Sequence, residues 1–274
     1  MTINGSGGFN SGTIIGSGRL VKSGSLVQGI STANNYSGGT TISSGGIEIT
    51  NPAGSALGSG NVIVNGTGRL TGSGSVSGAV ETFGSGTVVA GLTLGQLDMQ
   101  GGIAEFNWLG NPIDTTGAAN VNSGMLRVSA AAPIDPAVGT TWTFFDAAGG
   151  STGAFTDLDL PDLPAGKDWK VNFGGSGAFL EVVAAALPGD YNQNGAVDAA
   201  DYTLWRDNLG SRDALPNDDT PGVGPDDYDR WKTNFGQSTG SGSDEFAPVP
   251  EPMALWLIAL ALLFCPNPHR RAAT

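Results

Sequence analysis

The chain has 274 residues, 45 of them glycine, with 14% charged residues and a formal net charge of −13. That charge content is well under the usual quarter of a globular chain. An anionic chain without a basic patch argues against nucleic acid, and against anionic membrane surfaces, as partners. Cys265 and His269 are the sole cysteine and histidine. Disulfide frameworks, Ser-His-Asp or Cys-His sites and histidine zinc sites are thereby excluded from the body of the chain.

The first residues, Met1-Thr2-Ile3-Asn4-Gly5, show neither a basic start nor an apolar run. A repeat pattern is already under way at residue 2, which reads as a truncated chain or a misplaced start. Residues 1–104 are short apolar runs punctuated by glycine. Examples are Leu20-Val21, Thr40-Thr41-Ile42, Ile47-Glu48-Ile49 and Val62-Ile63-Val64. They are too short for helices and rich in β-branched residues, and Gly-Ser and Asn-Gly pairs between them are turn chemistry. Gly16-Ser17-Gly18-Arg19-Leu20 recurs as Gly66-Thr67-Gly68-Arg69-Leu70, an offset of 50. Short strands with internal repetition predict a β-solenoid over residues 1–112, whose stacked coils bury one apolar column. Arg19 and Arg69, recurring together, read as structural residues stacked on one face.

The stretch Asn34-Asn35-Tyr36-Ser37-Gly38-Gly39-Thr40-Thr41-Ile42, followed by Gly45-Gly46-Ile47-Glu48-Ile49, resembles the passenger-associated repeat of bacterial autotransporters. That resemblance implies a right-handed parallel β-helix. From residue 113 to 186 glycine thins out and the strands lengthen, which predicts a β cap. It resembles the C-terminal end of autotransporter passengers. Trp142, Phe144, Phe155 and Trp169 would plug the open column there, and Asp157, Asp159 and Asp162 read as loop residues.

Residues 187–237 form a different unit. Residues 188–240 hold ten acids against four bases, which fits a cation-binding segment. Asp190-Tyr-Asn192-Gln-Asn194-Gly195-Ala196-Val197-Asp198-Ala-Ala-Asp201 matches an EF-hand type calcium loop. Asp190, Asn192, Asn194, Asp198 and Asp201 fall at places 1, 3, 5, 9 and 12, and Ala196 at place 7 offers its carbonyl. The spacing wraps oxygens around one hard cation, Ca²⁺, and Gly195 at place 6 takes the sharp turn. A short helix stopped by Gly210 follows. Tyr202/Tyr228, Trp205/Trp231, Arg206/Lys232, Asn208/Asn234, Leu209/Phe235 and Gly210/Gly236 repeat at an offset of 26. A loop and helix in duplicate resemble a dockerin, which implies a cohesin-like protein partner. The second loop, read from Asn217 to Asp227, is one residue short, has Pro221 in a ligand's place and lacks the ninth-place acid. Asp227 remains as its last ligand.

Residues 238–252 read as a Ser/Gly- and then Pro-rich linker. Pro250-Glu251-Pro252, the apolar run Met253–Cys265 and Arg270-Arg271 make up a tail, residues 253–274. It resembles the PEP-CTERM sorting signal, which implies an exosortase-type enzyme and a transient membrane anchor at the cell surface. The solenoid's acids are few: Glu48, Glu81, Asp98 and Glu105. None has a carboxylate neighbour in sequence, as glycoside chemistry requires in space. The sequence therefore predicts a mainly β, non-catalytic, secreted or surface protein of structural or adhesive type, with a calcium-dependent docking module. The alternative is a component of a polysaccharide-degrading complex recruited through that module. A surface polysaccharide is the further partner either reading admits.

Overall fold

The computed structural model describes residues 1–4, 9–10, 12–218 and 220–238. Residues 239–252 of the expected linker, and the tail 253–274 with its apolar run, lie outside the described residues. Among the described residues no helix is long and apolar enough to cross a membrane.

The chain is mainly β, a parallel β-solenoid of about six turns. Leu20, Thr40, Val62, Val80, Leu97, Ala119 and Ser151 are successive in-register partners on parallel strands. Most turns take about twenty residues, the short end of solenoid repeats. Alternation carries the packing. Val62 and Val64 point inward and are buried, while Ile63 between them is half-exposed, as strand geometry requires. Inward residues from every coil, among them Ile42, Ile49, Leu70, Val80 and Leu97, join one continuous core. Lys22 interrupts it. It holds the column place that Ile42 and Val64 take in the next two coils, yet is fully buried. Its Nζ donates to the carbonyls of Ser23 at 2.6 Å and Gly24 at 3.3 Å, and burial lowers its pKa.

The offset of 50 is not the coil period. Leu20 aligns with Thr40 and Val62, whereas Leu70 aligns with Ile47 and Val88 on another face. Fifty residues span about two and a half coils of this size, so Arg19 and Arg69 do not stack. The echo marks a recurring Gly-x-Gly-Arg-Leu turn into a strand, used on two different faces. Arg69 instead forks onto Glu105, with Nη1 donating to Oε2 at 2.8 Å and Nη2 to Oε1 at 2.6 Å. Arg69 holds the Glu105 carboxyl below its ordinary value, against the opposing effect of burial. Arg127 lies in register between Glu105 and Asp159, and its Nε donates to Asp159 at 2.7 Å. A row of alternating charge thus crosses the outer surface.

Not every strand is short. Thr93–Asn107 is a single strand of 15 residues that pairs on two faces of the solenoid. Its bend falls at Gly101 and Gly102, both at positive φ. A Cβ on Gly102 would run into the carbonyl of Gly86, in the coil before.

The parallel ladder continues past residue 113. Ile113–Thr115, Ala119–Ser129, Ser151–Gly153 and Asp157–Asp159 all extend it. Asp157 and Asp159 are therefore strand residues rather than loop residues, placed by pairing with Met125 and Arg127. The cap proper is antiparallel: Thr141–Ala147 pairs with Gly177–Ala184, which pairs with Lys167–Gly174. Reversing strand direction ends the stacking and covers the edge of the last coils. The aromatic plug is present and larger than expected. Phe106 stands 5.6 Å from Trp142 and 5.8 Å from Phe144, Phe144 is 6.0 Å from Phe155, and Trp169 is 5.1 Å from Trp108.

Candidate metal centre

After the last strand the chain turns at Gly189 (φ +92°), where a Cβ would stand 3.0 Å from the Cα of Trp231. The segment Asp190–Asp201 then leads into α1 (Ala199–Asn208). Short polar side chains bend it by accepting N–H groups two residues on. Asn192 Oδ1 accepts from Asn194 at 2.9 Å, Asn194 Oδ1 from Ala196 at 2.9 Å, and Asp198 Oδ1 from Ala200 at 2.7 Å. The two oxygens of Asp190 accept the N–H groups of Asn194 at 3.1 Å and Gly195 at 2.8 Å. Those of Asp201 accept from Asn192 at 3.0 Å and Asp198 at 2.8 Å. First and last residues of the loop both bind its middle, so the loop is closed. Gly195 has φ +86°, the turn expected at the sixth place. Asp198 and Asp201 also form the capping box of α1, which fixes where the helix starts.

The electrostatics are unusual. Asp190 is 3% exposed and Asp201 0%. Among the described residues no Lys, Arg or His forms an ion pair with either, or with Asp198. Backbone N–H groups alone oppose two buried carboxylates, and burying such charge is costly without a counter-charge. Among the described residues no group of three or more Asp, Glu, His or Cys side chains is placed to hold a metal by itself. A cation here would also need the amide oxygens of Asn192 and Asn194 and the carbonyl of Ala196. That donor set is all oxygen and flexible, which suits a hard ion of calcium's size better than magnesium or zinc.

The duplicated helix is present as well. Helix α2 (Pro225–Asn234) lies 26 residues after α1, and the ends match. Leu209 and Phe235 have nearly equal dihedrals, and Gly210 and Gly236 both have φ +87°. The halves clasp each other reciprocally. Trp205 Nε1 donates to the Gly224 carbonyl at 2.7 Å, and Trp231 Nε1 to that of Asp198 at 2.8 Å, each reaching the other helix's N-cap. Val197 N–H donates to Gln237 at 2.9 Å, and Val223 N–H to Ser211 at 3.0 Å. Tyr202 lies 5.2 Å from Trp231 and Trp205 lies 5.1 Å from Tyr228. Tyr191 is fully buried, and its hydroxyl donates to the Asp227 carbonyl at 2.6 Å.

Loop two is not a shortened copy. The offset of 26 holds at both caps, and counting back from them sets Asp218 at the place of Asn192 and Thr220 at that of Asn194. Pro221 takes the place of Gly195, not of a ligand, and Pro216 that of Asp190. The first-place carboxylate is lost, and so is the sixth-place N–H that it would have bound. Gly222 (φ +80°) makes the turn instead. Gly224, at the ninth place, has no side chain to cap α2. Asp227 Oδ2 accepts the Gly224 N–H at 2.6 Å. Asp218 Oδ1 accepts the Thr220 N–H at 3.0 Å, while Asp218 Oδ2 is buried without a hydrogen-bond partner. Arg230 Nε lies 3.6 Å from Asp218 Oδ1. Burial pushes the Asp227 carboxyl up. Burial acts on Asp218 too, but Thr220, Asp227 and Arg230 outweigh it and hold that carboxyl below its ordinary value.

Sequence reasoning missed Tyr191, Pro216 and Arg230. The available signals were an aromatic between two ligand places and an Arg three residues after an acid where α1 has Leu204. It also missed a carboxylate pair: Asp114 and Asp146 face each other in register on parallel strands. Burial, and then Asp146, raise the Asp114 carboxyl. Both are exposed, and neither lines the larger cavities. No protein-family model and no curated protein matches the chain. The resemblances drawn from the sequence therefore stand on their own residues.

Proposed function

We propose that this is a non-catalytic secreted or cell-surface protein in which a β-solenoid carries a docking module ordered by one Ca²⁺ in Asp190–Asp201. The carrying observation is the pair of buried carboxylates, Asp190 and Asp201, with no basic side chain opposite them among the described residues. Asp190, Asn192, Asn194, the Ala196 carbonyl, Asp198 and Asp201 would hold the ion. Bound there, calcium supplies positive charge and a fixed centre for the loop. The chain's own residues do the rest. The Asp198–Asp201 capping box passes loop order to α1, and Trp231 passes it to α2 through the Asp198 carbonyl. The ordered pair presents Leu209 and Phe235, each 56% exposed, as apolar contacts for a protein partner of the cohesin type. The solenoid's acids favour a structural role. Glu105 is taken by Arg69, Asp98 by Asn120 at 2.8 Å and Glu81 by Asn61 at 3.0 Å.

The test uses the full chain, because the solenoid contributes no helix among the described residues and helical ellipticity reports the module. Adding chelator should remove that ellipticity and shift Trp205 and Trp231 fluorescence, and calcium should restore both. The Asp201→Asn chain should not respond. Equal helicity in chelator and in calcium would sink the proposal.

A further inference from the structure

Loop two sets the same electrostatic problem as loop one with a different set of residues. The side chains of Asp218 and Asp227 are both fully buried. The Thr220 hydroxyl oxygen lies 2.9 Å from a carboxylate oxygen of each. One hydroxyl proton serves one carboxylate at a time, and Asp218 Oδ2 has no hydrogen-bond partner. Even one ionised carboxylate, that of Asp218, needs a positive charge beside it in so dry a site. Arg230 stands where that charge is required. It follows Asp227 by three residues on α2, which puts both on one helix face. Its side chain is 21% exposed, and its Nε is 3.6 Å from Asp218. The matching residue of α1 is Leu204, and loop one has no cationic side chain. Loop two has also lost its first-place carboxylate to Pro216, so its donors for a metal are fewer.

We infer that Arg230 is the resident cation of loop two, filling the role of a metal ion there, so that the chain takes up one Ca²⁺ and not two. A divalent ion beside the guanidinium would meet like-charge repulsion at close range. The inference rests on reading loop one as the calcium loop, and the experiment separates the two.

The full chain, stripped with chelator, is titrated with calcium chloride by isothermal calorimetry. One ion is expected for the natural chain and none for Asp201→Asn. Two ions in the natural chain with one remaining in Asp201→Asn overturn the inference and leave loop one as a site, whereas one ion in each chain overturns both readings. Arg230→Leu, which copies α1, should gain a second and weaker binding step, or melt in chelator and be recovered by calcium. An Arg230→Leu chain that binds one ion and melts with the natural chain also overturns it. No binding by the natural chain with one ion gained in Arg230→Leu would fail the loop-one reading and sustain Arg230 as the resident cation of loop two.

Discussion

Loop Asp190–Asp201 and its duplicate before α2 each bury two carboxylates and differ in what stands opposite them. Among the described residues Asp190 and Asp201 face only backbone N–H groups, whereas Asp218 faces Arg230 and shares Thr220 with Asp227. The surrounding frame is nearly the same: matched caps, matched helix ends and reciprocal tryptophans. A frame of this kind constrains how much charge is buried, not where the compensation comes from. A solute ion supplies it conditionally, while a side chain supplies it always.

The largest expected difference between the loops is at their last residues. Asp201→Asn should abolish calcium stabilisation of the module, about 2.7 kcal/mol at a hundredfold excess over Kd. Asp227→Asn should cost about 1 kcal/mol or less, because asparagine still accepts the Gly224 N–H and relieves repulsion with Asp218. Denaturant melts followed by helical ellipticity measure both, and equal losses would mean the loops are alike. Next come the clasping residues. Trp205→Ala and Trp231→Ala should each cost roughly 2 kcal/mol, less than a fully buried aromatic because both are only part-buried. An effect confined to one of them would break the reciprocity. The caps come third. Asp198→Ala should cost about 1 kcal/mol, whereas Gly224→Ser should gain only a few tenths.

The smallest effect sets the solenoid against the module. Glu105, with its folded-state carboxyl lowered by Arg69, contributes stability that is present above the ordinary carboxylate range and lost as pH falls through the lowered value. Both partners are partly exposed, so Arg69→Ala should cost under about 1 kcal/mol at neutral pH. It should cost nothing measurable in strong acid, by thermal melts of the β signal at both pH values. Calcium should leave those melts unchanged.

Local spacing was legible in the sequence, and distant pairing was not. The Asp190–Asp201 loop reads directly because its side chains bind backbone two to nine residues away, so one short segment contains the geometry. Short strands read from β-branched runs for the same reason. Coil length did not, since register depends on which residues stack one turn apart. The Gly-x-Gly-Arg-Leu echo therefore looked like a period when it was a repeated turn. In loop two the residue types of metal ligands point to a start at Asn217, whereas the fold sets Pro216 in the first place. Arg230 went unseen because its relation to Asp218 appears only once the loop folds back on α2. The aromatic plug was foreseeable from residue type, but Phe106 joins it from a strand counted with the solenoid and Trp108 from the turn just after that strand.

The coils of the solenoid are joined by hydrogen bonds that run along its axis, from each strand to the strand one turn away. Tension on the two ends of such a body loads these bonds one layer at a time, as in opening a zip, and not all together as in shearing two sheets. Each released coil of about twenty residues would pay out roughly 65 Å of chain. Under pull the solenoid lengthens in steps, and coils still stacked behind the break keep their register.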